Sequence, residues 1–174
     1  NRAQRAHPVR PSGATPGHAL EWARLTLATA RTLGGPEWDW ALPAAESLVR
    51  GAIADAWAAD GADGFVYTTD WDGAPVVHAR MHWVLTEALG AAWALHHVTG
   101  SSDWSRLFEQ WWEYAKAHLV DTERGSWISE LDQTNHPHAG TWVGKPDTYH
   151  AVQAMLLPRL PLTPSFASAL AASS

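Results

Sequence analysis

The sequence predicts an all-α domain of about three helical hairpins, with short β excursions confined to loops. Long stretches carry apolar residues at helical spacing and stop at glycine or proline, whereas strand-like runs are only about four residues long. His18, His82 and His150 lie 64 and 68 residues apart, each near the start of a helix that follows a loop. Three helix pairs of similar length imply stacked αα-hairpins. Equivalent helices starting at one end would turn all three mouths towards one cavity.

Residues 1–14 read as an extended loop, broken by Pro8, Pro11 and Gly13. Thr15 is placed to N-cap a helix through its hydroxyl, and Pro16 fits the first helical position because its missing N–H would have no partner there. That helix is expected over 16–33, with Leu20, Ala23, Leu27 and Ala30 as its apolar stripe and Gly34-Gly35-Pro36 as its stop. A second is expected over 43–59, with Ala44, Leu48, Ala52 and Ala56. Phe65-Val66-Tyr67-Thr68 has strand character and Asp70-Trp71-Asp72-Gly73 is a turn, so a short hairpin is expected there.

The third helix is expected over 79–98, on Met81, Leu85, Ala88, Ala92 and Leu95, and Thr99-Gly100 ends it. Ser102 is the cap expected for a fourth helix over 103–119. The turn Asp121-Thr122-Glu123-Arg124-Gly125 leads to strand-like Ser126-Trp127-Ile128-Ser129 and then to a polar loop over 132–141. Asp147 caps a fifth helix over 148–157, closed by Pro158 and Pro161, and a last short helix covers 164–171.

The 174 residues, 46% hydrophobic and 17% charged, suffice for one domain with a true core. A net charge of −6 argues against a general role on nucleic acid or a membrane surface. No apolar run approaches the roughly 20 residues of a membrane span. The opening Asn1-Arg2-Ala3-Gln4-Arg5 lacks the apolar stretch of a secretory signal, so a cytoplasmic protein is expected. With no cysteine, disulfides and thiolate chemistry are excluded. Twelve tryptophans and ten histidines are unusual for this length. An indole face stacks on the C–H face of a sugar, although most of these rings are expected in the core.

His18 and Glu21 fall three apart in the first turn of their helix and share a face, a plausible acid/base and hydrogen-bonding pair. They equally fit a structural role, with His18 packed in the core and Glu21 favouring the positive helix end. Trp83 and Glu87 lie one turn apart, and the apolar neighbours Val84, Leu85, Ala88 and Leu89 make a lone glutamate costly unless it is paired or faces a polar cavity. Arg10 is near enough to the capped helix to reach its mouth. His78 and His82 would share a helix face if the third helix began early, His96 and His97 diverge, and His136-Pro137-His138 sits in a loop. None has a third ligand at familiar spacing, so no metal is expected. Gly-x-Gly-x-x-Gly, Walker-type and Gly-x-Ser-x-Gly motifs are absent, and no cofactor is expected.

The stretches GATPGHALEWARL, ARMHWVLTEALGA, HLVDTERGSW and WVGKPDTYHAVQAMLLPRLPLTPSFASAL resemble the C-terminal half of the N-acylglucosamine 2-epimerase superfamily. The Gly-His-x-x-Glu-Trp and Gly-Lys-Pro-Asp-x-Tyr-His-Ala motifs are most similar to its aldose–ketose isomerase branch. The resemblance covers about residues 8–170 and implies that 1–174 is the C-terminal half of one (α/α)6-barrel catalytic domain. It implies His18 and His150 as the catalytic acid/base pair, Glu21 as a partner of His18 or the sugar, and Trp83, Glu87 and Arg10 as substrate-binding residues. The implied reaction is metal-independent interconversion of an aldose and a ketose, of the mannose–fructose type. Sugar 2-epimerisation and non-catalytic sugar binding by half a barrel are the alternatives. The expected partners are a monosaccharide and the missing N-terminal half of the barrel, supplied as a separate or cleaved polypeptide, or else a second copy closing a six-hairpin ring.

Overall fold

A computed structural model describes residues 13–141 and 143–173. Helix α1 spans Pro16–Leu33 and α2 spans Ala41–Ala56, joined through a 3-10 turn at Pro36–Trp38. Strands β1 (Thr68–Thr69), β2 (Pro75–Val77) and β3 (Arg80–Met81) precede α3 (His82–Thr99), and α4 (Ser102–Tyr114) continues into a π-helical turn at Ala115–Leu119. After β4 (Glu130–Leu131), α5 (Thr148–Leu156) passes through a 3-10 turn at Leu157–Arg159 to α6 (Phe166–Ala172). These are three successive helix pairs, with all β structure in the loops, as the sequence implies.

Helix α3 is the centre. It packs against α1 on one side and α5 on the other, while α2 pairs with α1 and α4 with α3. The stripe expected of it proves too narrow: Val84, Leu85, Ala88, Leu89, Ala91, Ala92 and Leu95 are all buried, which covers more than one face. A helix enclosed by three neighbours has no solvent side to keep polar. Its alanines and Gly90 allow the close approach. Trp57, Phe65, Trp111 and Tyr114 form an aromatic cluster with ring centroids 5.0–5.9 Å apart, and Trp104 and Trp127 are also buried. Trp104, Trp111 and Trp127 are thus core, whereas Trp22, Trp40 and Trp71 are exposed, so the core role expected of most indoles holds for only part of them.

Local departures from the sequence reading have physical causes. Thr15 caps α1 with its backbone carbonyl, which accepts the His18 N–H at 3.0 Å, and its hydroxyl makes no capping bond. Ser101, not Ser102, caps α4, its side chain accepting the Asp103 N–H. The strand expected at Phe65–Thr68 is reduced to an isolated bridge from Phe65 to Trp57 and to the hydrogen bond that the Tyr67 N–H donates to the Val77 carbonyl at 2.9 Å, with the register to β2 set from Thr68. Helix α3 begins at His82, because Arg80 and Met81 pair antiparallel with β4. Consequently His78 lies outside the helix and does not share a face with His82; its Nδ1 meets Asp60 Oδ2 at 2.8 Å.

Asp60 also takes both arms of buried Arg80, at 2.6 and 2.8 Å, and Arg80 donates further to the carbonyls of Ala62, Asp63 and His78. This network pins the loop after α2 to the strand leading into α3. Apolar side chains also remain exposed in rows on α1 (Trp22, Leu25) and α5 (Val152, Met155). No helix among the described residues is long and apolar enough to cross a membrane.

The Arg80 hydrogen bonds hold the Asp60 carboxyl at about 2, against the opposing effect of burial and with help from His78. Because the folded value lies below the unfolded one, the stabilisation is complete above the ordinary value of 3.8 and is lost as pH falls towards 2. It amounts to roughly 2 kcal/mol. Chemical denaturation as a function of pH should show the parent losing more stability than Asp60→Asn across that window. Near neutrality Asp60→Asn should be less stable by about 3 kcal/mol, because Arg80 loses its counter-charge while still buried.

Candidate active site

Three helix N-termini converge on one cavity of about 520 Å³. Helix α1 contributes His18 and Glu21, α3 contributes His82 and Trp83, and α5 contributes Tyr149 and His150, with Asp147 as its cap. Ser129 and the segment from Val143 to Pro146 close the remaining wall, apart from Gly144. The Trp83 ring sits between the two outer imidazoles, its centroid 5.1 Å from that of His18 and 6.0 Å from that of His150. Gly17 makes this possible: a Cβ there would stand 2.5 Å from the indole.

Both outer histidines are oriented by a carboxylate three residues away. His18 Nδ1 lies 3.3 Å from Glu21 Oε2, and His150 Nδ1 lies 3.0 Å from Asp147 Oδ1. Carboxylates only accept, so each Nδ1 carries the proton and each Nε2 is left with its lone pair. Asp147 has a second task, capping α5 by accepting the His150 backbone N–H at 3.1 Å. Burial alone would raise its carboxyl, but the His150 backbone and ring, together with His82, hold it below the ordinary value.

His82 is a member of the site that the sequence reading did not select as functional, although the spacing of the three histidines pointed at it. It is buried, and the Ser129 carbonyl accepts from both its backbone N–H (3.1 Å) and its Nδ1 (3.2 Å). Its Nε2 has no hydrogen-bond partner. Burial lowers its basicity, the Ser129 and Asp147 contacts oppose that, and the result is a lowered pKa and a neutral ring near pH 7. The Ser129 hydroxyl donates to the Gly144 carbonyl at 2.7 Å, tying the loop that delivers Asp147 to the start of α3.

Glu87, which the resemblance assigns to the substrate pocket, is found in the paired state that the sequence reading allowed. It is fully buried and does not line the cavity. Its carboxylate takes Arg24 Nε at 2.9 Å and an Nη at 2.8 Å, and it accepts from Gln153 Nε2 at 3.2 Å. His150 Nε2 lies 3.9 Å from it. An isolated carboxylate among apolar neighbours is unfavourable, and this one is paired instead with a buried guanidinium. Arg10 lies outside the described residues. Lys145 lines the cavity wall but is paired to Asp121.

Comparison with known proteins now bears on this geometry. The family model described as N-acylglucosamine 2-epimerase matches residues 1–154. A D-mannose isomerase of Thermobifida fusca is 51% identical over 98% of the chain, and one of Pseudomonas cannabina pv. alisalensis is 48% identical over 98%. The chain spans only 42% of the length of each. Among solved structures, a D-mannose isomerase superposes with a TM-score of 0.83 at 29% identity, covering 91% of this chain and 40% of that one. A cellobiose 2-epimerase from Bacillus thermoamylovorans B4167 superposes at 0.72 with 13% identity over 84% of this chain and 39% of that one, a likeness of fold alone. The three hairpins are thus about half of such an (α/α)6 barrel.

If Glu87 is chiefly the anchor of Arg24, Glu87→Gln should lower stability by about 3–5 kcal/mol, because it leaves a buried guanidinium without a counter-charge. Urea denaturation measures this. A loss under about 1 kcal/mol would show that the pair does not hold the helices together.

Proposed function

We propose, since the chain belongs to the N-acylglucosamine 2-epimerase family, that it carries the acid/base half of a sugar isomerase site. The reaction is interconversion of an aldose and a ketose, of the mannose–fructose type, with no metal or cofactor taking part. The observation that carries this reading is the pair of imidazoles in one cavity, each with its Nδ1 held by a carboxylate. D-mannose isomerase is also the name of the relatives that are 51% and 48% identical to the chain.

Moving a carbonyl from C1 to C2 requires a proton to leave the carbon beside the carbonyl and return to its neighbour, through a cis-enediolate. One imidazole on one face of that intermediate performs both transfers. In this reading His150 is that base. Its Nε2 takes the carbon-bound proton, and Asp147 stabilises the imidazolium that results. His18, held by Glu21, opens the ring and moves the proton between the sugar oxygens. Trp83, between the two rings, presents a face to the sugar C–H groups. Glu87 acts behind His150, by holding the three helices in place, and Arg10 is assigned by resemblance to binding the sugar. The rest of the cavity comes from the other half of the barrel, which the exposed apolar rows on α1 and α5 are suited to meet.

The test is proton NMR of mannose and fructose in deuterated water, with the chain alone and with the chain completed by the first half of a relative's barrel. Deuterium is expected at C1 of fructose and C2 of mannose. His150→Ala should lower kcat by on the order of 10²–10⁴ while leaving most binding intact. Retention of more than about a tenth of the rate would remove His150 from the role, since a general acid/base is worth far more than that. Exchange at C2 yielding glucose and no fructose would identify a 2-epimerase, and binding without exchange a sugar-binding half-barrel. Turnover should survive exhaustive EDTA; loss on chelation with recovery on adding a divalent ion would overturn the metal-free mechanism.

A further inference from the structure

We propose that His82, Asp147 and His150 form a site for a zinc-class divalent ion, which occupies the cavity in competition with the sugar. Their ligand atoms all lie within 4.8 Å of one another. Two edges of the triangle already suit a metal: His82 Nε2 to Asp147 Oδ2 is 3.6 Å, and Asp147 Oδ2 to His150 Nδ1 is 3.1 Å. Four-coordinate zinc with bonds near 2.0–2.1 Å asks for edges of about 3.3 Å.

The orphaned atom at the centre of this group is the strongest argument. The Ser129 carbonyl fixes the proton of His82 on Nδ1, so Nε2 turns a buried, unpartnered lone pair towards a carboxylate oxygen. At 3.6 Å the two make no hydrogen bond, and with no proton between them they are two acceptors facing each other. A cation between them satisfies both.

The outer contacts fit as well. For His150 to bind through Nδ1, its proton must sit on Nε2 instead, where Glu87 Oε1 stands 3.9 Å away. Each imidazole would then direct its far N–H at an acceptor, the Ser129 carbonyl for His82 and the Glu87 carboxylate for His150. That is the usual arrangement around metal-bound histidines. Asp147 is half exposed, which leaves a coordination position open to the cavity for water. Two imidazoles and one carboxylate suit zinc or cobalt better than magnesium or calcium.

Such an ion takes up the Asp147–His150 pair that acts as base in the proposed reaction, so it inhibits, and chelation raises activity where it changes it at all. The binding itself does not depend on the isomerase reading. After chelator treatment, the chain is titrated with Zn²⁺ by calorimetry and with Co²⁺ by visible absorption. One ion per chain is expected, with the absorption bands of a four- or five-coordinate site. Asp147→Asn, a change at a half-exposed side chain, and His82→Gln should each weaken binding at least tenfold. His138→Ala should leave it unchanged. Absence of saturable binding, parent-like affinity in both site variants, or loss on His138→Ala overturns the proposal. Zinc binding as expected from a chain that turns over no sugar even when completed by the first half of a relative's barrel would sink the isomerase reading and leave this one standing.

Discussion

Everything at the mouth of the cavity depends on one buried interaction some distance beneath it. Arg24 comes from α1, Glu87 from α3 and Gln153 from α5, and the three side chains meet in a single hydrogen-bonded group. These are the same three helices whose N-termini carry the site. Apolar packing between helices tolerates sliding and rotation, because it has no preferred direction. A desolvated ion pair with an amide attached does not, because any displacement leaves a charge in an apolar surrounding. The group therefore sets the relative height and rotation of the helices, and the positions of His18, His82 and His150 follow.

Two glycines show how closely the helices are fitted around that group. A Cβ at Gly90 would stand 2.7 Å from the Arg24 side chain, so only glycine lets the guanidinium cross the face of α3 to Glu87. A Cβ at Gly17 would meet the rigid Trp83 ring, so α1 can begin against α3 only without a side chain there. The indole is thereby held between His18 and His150. Local capping is coupled to the same geometry: Asp147 starts α5 and orients the His150 ring with one carboxylate.

Much of this was legible in the sequence because it is written in local patterns. The Pro16 start, the Gly34 stop, the Asp147 cap and the recurrence of histidines at helix starts are all short-range signals, and α1 appears with the bounds expected of it. The short-range pairs His18–Glu21 and Asp147–His150 follow from helix geometry alone. The partners of Glu87 could not be read that way, since they lie 63 and 66 residues away and only packing brings them together. The pairing of β3 with β4 was hidden for the same reason. It decides where α3 begins, and so it separates His78 from His82 and buries the latter beneath Ser129.

The two carboxylate-held imidazoles are alike in local geometry and differ in what surrounds them. His18 is largely exposed and has one acidic neighbour, so a proton on its Nδ1 has no competitor. His150 faces Asp147 on one nitrogen and Glu87 on the other, with the unpartnered Nε2 of His82 close by. Either ring nitrogen can therefore direct a proton at a carboxylate, more closely at Asp147 (3.0 Å) than at Glu87 (3.9 Å). With the proton on Nδ1, Nε2 is a base; with the proton on Nε2, Nδ1 is a ligand. In the proposed reaction a general base benefits from this arrangement, because an imidazolium formed on His150 would lie between two carboxylates. The same arrangement would open the position to the metal ion proposed above, so the geometry assigned to proton transfer on His150 in the proposed reaction is also the one that would admit that competitor.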